Sequence, residues 1–125
     1  MSGLTLDAGA LIAAERGDRR MIALLERVLA RDQMLAIPAG ALAQAWRADP
    51  RQHRIHLLIG DEQCVVVPLD RDEALRVGTI CARTGAADVV DVSVASCAAR
   101  RGHAVVTADP DDIAAVDPSL RLIVL

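Results

Sequence analysis

Hydrophobic positions along this chain fall into two kinds of run. At 4–7, 34–37, 64–67, 104–107 and 120–125 they are short and apolar on consecutive positions, as in Val65-Val66-Val67. Runs of that length and character read as strands buried on both faces. Between them lie segments with helical spacing. Residues 8–15 are alanine-rich, and after Asp18, a residue suited to capping, Met21, Ile22, Leu24, Leu25, Val28 and Leu29 recur at helical period to about residue 31. Pro38 suits the first turn of a helix over 38–46, Asp49-Pro50 breaks it, and a further helix over 51–59 ends at Gly60. An amphipathic helix covers 70–83, Gly85 interrupts, and Asp88 opens a helix over 89–101 that closes at Gly102. A short helix at 109–116 separates the last two strands.

Strands alternating with helices, in a chain of 125 residues, predict an α/β fold. The expected architecture is a three-layer α/β/α sandwich with a central parallel sheet, in one domain spanning 1–125. In open parallel sheets the ligand crevice lies beyond the carboxyl ends of the strands. The residues that follow each strand are therefore the ones to inspect.

Composition narrows the chemistry. Thirteen of the seventeen acids are Asp, and all 14 basic residues are Arg. Absence of lysine removes Schiff-base catalysis and the P-loop. With no Tyr, no Phe and only Trp46, stacking platforms for bases are excluded as well. Cys64, Cys81 and Cys97 have no C-x-x-C spacing, so reduced buried thiols are expected rather than a disulfide framework or a zinc ribbon. No apolar stretch approaches the ~20 residues of a membrane span, and the amino terminus lacks a secretory pattern; the expected address is the cytoplasm.

The informative residues are the carboxylates at the strand ends. Asp7 follows the first strand directly and Asp109 follows the fourth, in Val105-Val106-Thr107-Ala108-Asp109-Pro110-Asp111-Asp112. Asp88 and Asp91 lie about one turn apart at the start of the helix 89–101, whose apolar character predicts that its first turn packs into the domain with both acids directed at the same sheet edge. Helix capping explains Asp7, Asp88 and Asp109 one by one, with Asp91 and Asp112 at the third helical position. Capping does not explain their convergence, because ionised carboxylates gathered in a crevice repel unless a cation or a proton intervenes. Oxygen-only ligands of this kind suit Mg²⁺ or Mn²⁺. Caps and a metal site both stand on the residues alone.

Asp7, the Asp88-Val-Val-Asp91-Val-Ser-Val-Ala helix start and Thr107-Ala-Asp109-Pro-Asp-Asp112 together resemble the PIN-domain ribonucleases, specifically the VapC toxins, over residues 4–125. The resemblance implies a PIN-like sheet flanked by helices, with Mg²⁺ or Mn²⁺ held on a cluster of acids. It puts the catalytic acids on Asp7, Asp91 and Asp109, with Asp88 and Asp112 as further metal ligands. It also implies an endoribonuclease toxin hydrolysing RNA phosphodiester bonds, a small VapB-type antitoxin as partner, and a homodimer. One position departs from the family pattern: where a Glu usually stands in the helix after the second strand, this chain has Gln44 in Ala41-Leu42-Ala43-Gln44-Ala45-Trp46. An amide can orient a water but brings no charge and cannot act as a base. The alternative reading is therefore a catalytically weakened PIN-fold module that binds RNA or a partner.

In the enzyme reading, the helix amino termini at Ala8 and Val89 add positive potential near a phosphate. Arg47, Arg51 and Arg54, interleaved with His53 and His56, are candidate RNA contacts in a protein of net charge -3, or else a solvated helix face or a docking surface for an acidic partner. His53 and His56 have zinc-compatible spacing but lack a third ligand nearby. His103 is expected to bond locally, Thr107 and Ser93 to satisfy backbone, and Trp46 to pack in the core or an interface, with the antitoxin groove between the second helix and the region around Trp46. A phosphoacceptor receiver domain is excluded by the missing lysine. A haloacid-dehalogenase-type phosphatase is disfavoured because Asp7-Ala8-Gly9 lacks a second acid, and dinucleotide binding has no G-x-G-x-x-G to support it.

Overall fold

The structure, a computed structural model, describes residues 3–125. Five strands, β1 (Leu4–Leu6), β2 (Leu35–Pro38), β3 (Cys64–Val67), β4 (Ala104–Thr107) and β5 (Leu122–Val124), form one sheet in the order β3-β2-β1-β4-β5. Every pairing is parallel. The helices are α1 (Ala8–Glu15), α2 (Arg19–Ala30), α3 (Ala39–Ala45), α4 (His53–Ile59), α5 (Arg71–Thr84), α6 (Val89–Arg101) and α7 (Pro110–Val116), with a 3-10 turn at Pro50–Gln52.

Alternation along the strands sorts the helices into two layers. Leu4, Leu6, Leu35, Ile37, Ala104 and Val106 join one core with side chains of α1, α2 and α4. The intervening positions face the other way: Val105 packs with Val94, Ala95 and Ala98 of α6 and Ile113 of α7, and Ala36 packs with Val67 and Cys97. A strand whose odd and even residues are both apolar can only be satisfied by a layer on each side. The three-layer α/β/α fold read from the sequence is therefore the fold observed.

Departures are local and have causes. Met34 stays exposed and β2 begins one residue later, while Pro38 closes β2 opposite Val67 in an extended conformation (ψ 137°) rather than entering α3. Residues 50–52 form a separate 3-10 turn capped by Asp49, so α4 starts at His53. The last strand is only Leu122–Val124. His103 bonds across the fold, its Nδ1 lying 3.1 Å from the Thr5 hydroxyl in β1, instead of locally. All three cysteines are free, with Cys97 buried and Cys64 and Cys81 half-buried. Among the described residues no helix is long and apolar enough to cross a membrane.

Candidate functional site

The chain builds β1, moves outward through β2 to β3, and then returns to place β4 on the other side of β1. That reversal leaves a crevice between β1 and β4 at their carboxyl ends, the place where open α/β sheets bind ligands. Asp7 leaves β1 there and Asp109 leaves β4 two residues beyond its end.

Asp7 is buried at the base. It caps α1, its Oδ1 accepting from the Ala10 N–H at 2.8 Å. Burial pushes its pKa up and the Asp109 charge adds to the rise, against hydrogen bonds from the Thr107 hydroxyl and the backbone of Ala10 and Ala108. The same Thr107 oxygen accepts from the Asp109 N–H at 2.8 Å. Thr107 thus ties the two acids together, which goes beyond the expected role of satisfying backbone. Gly9 supplies the remaining closeness: a Cβ there would lie 2.8 Å from Ala108 Cβ and 3.3 Å from Asp7 Oδ1. The Asp7-Ala8-Gly9 and Thr107-Ala108-Asp109 triplets carry this signal in the sequence, but Gly9 gains its meaning only once Ala108 is beside it.

Asp88 caps α6, its Oδ1 accepting from the Val90 and Asp91 N–H groups at 2.9 and 3.0 Å. The first turn of α6 packs into the domain in part, less than expected: Asp88 and Val89 are exposed, Val90 packs against the core beside Gly40 of α3, Asp91 is half-buried and full burial begins at Val92. Asp91, half-buried, has its pKa pushed up to about 6 by desolvation and then by Asp88, Asp112, Asp109 and Asp7. Every charged group acting on it is another acid. Asp109 precedes α7 without capping it through its side chain, and both Asp109 and Asp112 are exposed. So the structure brings together the five acids picked from the sequence, with two of them, Asp7 and Asp88, also serving as caps.

A cation is the chemical complement of this group. Among the described residues no three His, Cys, Asp or Glu side chains are drawn tightly enough around one point to form a ready-made metal cage. Mg²⁺ does not require one, since it keeps several waters and takes one or two carboxylates. The oxygen-only donors and the accumulated, uncompensated negative charge fit such an ion. The amino termini of α1 and α6 offer a phosphate less than the sequence suggested, because the Ala10, Val90 and Asp91 N–H groups are already occupied by Asp7 and Asp88.

The other candidates lie elsewhere. Gln44 is exposed on α3 and lines a polar cleft with Glu15, Arg47, Asp49 and Arg51; no hydrogen bond joins it to the acids among the described residues. Arg47 donates to the Ala43 and Trp46 carbonyls, closing α3. Arg51 pairs with Asp49 at 3.0 Å and Arg54 reaches the Glu15 carbonyl, so the three arginines stand around Glu15. His53 and His56 border a hollow with Trp46, which is half-buried against the main core. Ser93 faces a small hollow near Glu73, away from the acids. Buried Gln52, which the sequence did not single out, bonds Glu15, the Ala45 carbonyl and the Arg47 N–H, fixing the loop after α3.

Solved structures share this fold. VapBC2 from Rickettsia felis bound to a promoter DNA fragment superposes with a TM-score of 0.72 at 16% identity, covering 100% of this chain and 99% of that one. DNA-bound VapBC from Salmonella typhimurium gives 0.68 at 22% identity, covering 98% of each chain. FitAcB from Neisseria gonorrhoeae gives 0.60 at 16% identity over 97% and 96%. No curated protein matches the sequence. The profile of the PIN domain matches residues 4–117, which include Asp7, Asp88, Asp91, Asp109 and Asp112, and the chain therefore belongs to the PIN domain family.

Proposed function

We propose that this protein is a metal-dependent endoribonuclease toxin of the VapC type, hydrolysing RNA phosphodiester bonds. The observation that carries the reading is the set of acids at the β1–β4 crevice in which every charged neighbour of Asp91 is itself an acid. Asp7, Asp91 and Asp109 would hold Mg²⁺ or Mn²⁺, with Asp88 and Asp112 as outer ligands. Such an ion, when bound, activates a water for in-line attack and neutralises charge at the phosphate. The chain's own contribution is placement. Asp7 is held by the Ala10 N–H, the Asp109 backbone by the Thr107 hydroxyl, and Asp91 keeps part of its surface open beside the exposed Asp88 and Val89.

A small VapB-type antitoxin is the proposed partner. Support comes from a groove of about 360 Å³ lined by Ile22, Leu25 and Leu29 of α2 and by Leu57 and Leu58 of α4. Leu57 is 59% exposed, which suits the apolar face of a partner helix. This groove lies between α2 and α4, apart from the hollow beside Trp46. A homodimer and a cytoplasmic address complete the proposal.

A second reading, a PIN fold that binds RNA or a partner without cutting, is favoured by the neutral Gln44. One experiment separates the two. Purified protein free of antitoxin is incubated with structured cellular RNA and Mg²⁺ or Mn²⁺, beside EDTA and Asp91→Asn controls, and fragment ends are mapped. Cuts that disappear in both controls establish the nuclease; no cuts from folded protein with either ion favour the binding module.

A further inference from the structure

A second charged feature lies on the outer layer, between α5 and α6. Glu73, in the first turn of α5, accepts from Ser96 through Oε1 at 3.3 Å and from Arg76 and Arg100 through Oε2 at 2.8 and 2.9 Å. Those contacts join the first turn of α5 to the second half of α6. Between them lies a cleft of about 430 Å³ lined by Arg76, Thr79, Arg83, Ser96 and Arg100. Glu73 itself is 6% exposed and anchors the Arg76 and Arg100 guanidinium groups.

Charge in this cleft does not balance. One buried carboxylate meets two arginines, and Arg83 pairs with no acid among the described residues. Two positive charges are left over in a protein whose net charge is -3. Arg76 and Arg100 keep 40% and 45% of their side-chain surface, and each commits a single nitrogen to Glu73, so most of their N–H donors face the cleft. Anchoring by Glu73 removes much of the side-chain entropy that an exposed arginine loses on binding an anion. Arg83, in the last turn of α5, borders the same cleft about 10 Å along the helix from Arg76.

We infer that this cleft holds the phosphodiester backbone of a single nucleic acid strand, with Arg83 and the Arg76–Arg100 pair as its phosphate contacts. The inference rests on the nuclease reading only for the identity of that strand as the RNA substrate. An acid cluster repels a polyanion, and a nearby cationic track is the physical means of retaining one. Arginine forks match phosphate oxygens bidentately, and backbone binding needs none of the aromatic side chains that this chain lacks.

The test is the affinity of the whole protein, in EDTA so that nothing is cut, for a fluorescein-labelled single-stranded RNA and for DNA of the same sequence, measured by anisotropy across a salt series. Arg83→Ala breaks no contact in the fold, and Arg100→Ala leaves Arg76 on Glu73; melting curves verify folding. Each substitution is expected to weaken binding about threefold to tenfold and to reduce the slope of log K against log salt by about 0.7. Arg31→Ala, at the end of α2 on the opposite sheet edge, is expected to change neither. An equal loss for RNA and DNA supports a backbone site, and a loss confined to RNA supports the same site with the substrate's sugar contributing. Wild-type affinity and slope in both cleft variants would overturn the inference, as would a wild-type protein that binds neither strand. Binding of labelled polyglutamate that both variants lose while strand binding is unchanged would overturn it in favour of an acidic protein partner. Metal-dependent cutting by a protein whose cleft variants bind normally would sink this inference and leave the nuclease reading intact.

Discussion

Replacing Asp91 by Asn tests the electrostatics of the site without any assumption about substrate. In the folded protein this carboxyl is moved from 3.8 up to about 6 by desolvation and four neighbouring acids. Unscreened, that preference for the proton corresponds to about 3 kcal/mol against the ionised form. Asp91 is only half-buried, and Asp88, Asp109 and Asp112 are exposed, so screening by water and salt reduces the penalty to about 1–2 kcal/mol. The sign follows from proton counting. Between about pH 4 and pH 6 the folded protein retains a proton that the unfolded chain has released, so stability falls as pH rises through this window and the penalty is complete above it. Below about pH 4 it vanishes. Asp91→Asn keeps the shape and never acquires the charge. In EDTA at about pH 7.5 the variant is expected to be more stable than the wild type by about 1–2 kcal/mol, a rise in Tm of about 3–10 °C for a domain of this size, with the gap closing toward about pH 4. Thermal unfolding followed by circular dichroism over that range measures it, and added Mg²⁺ should raise the Tm of the wild type more than that of the variant. Parallel Tm profiles for the two proteins, or a less stable Asn variant at neutral pH, would refute the claim that these acids repel one another.

Two further substitutions address how the site is held. Gly9→Ala puts a methyl 2.8 Å from Ala108 Cβ, so a loss of about 1–3 kcal/mol is expected in chemical denaturation, and Ala108→Gly in the same chain should recover part of it; additive losses would show that the two do not touch. Thr107→Val removes the hydroxyl that serves the Asp109 N–H and Asp7, with an expected cost of about 1–2 kcal/mol that Thr107→Ser largely restores; a neutral Val variant would remove Thr107 from the acid network.

Local patterning determined most of the fold. Short runs apolar on consecutive positions could only be strands covered on both sides, and the intervening helical spacing supplied the two covering layers. Asp7, Asp88, Asp91, Asp109 and Asp112 were legible for the same kind of reason, because a parallel sheet carries the ends of β1 and β4 to one edge whatever the intervening sequence. Contacts between segments far apart in the chain had no such local trace. That Gly9 must be small depends on Ala108, 99 residues later, and that Thr107 serves Asp7 depends on β1 pairing with β4. The arginines near residue 50 are close in sequence, but only the structure shows what they meet: Arg47 the Ala43 and Trp46 carbonyls, Arg51 Asp49, and Arg54 the Glu15 carbonyl. Arg76, Arg83 and Arg100 looked unrelated because 17 positions separate the last two, until the packing of α5 on α6 brought them to one cleft. Sequence by itself thus determined the periodicities and the acids that a parallel sheet must gather; tertiary structure decided which distant side chains meet, because that depends on how helices pack across the chain and not on any property of the residues between them.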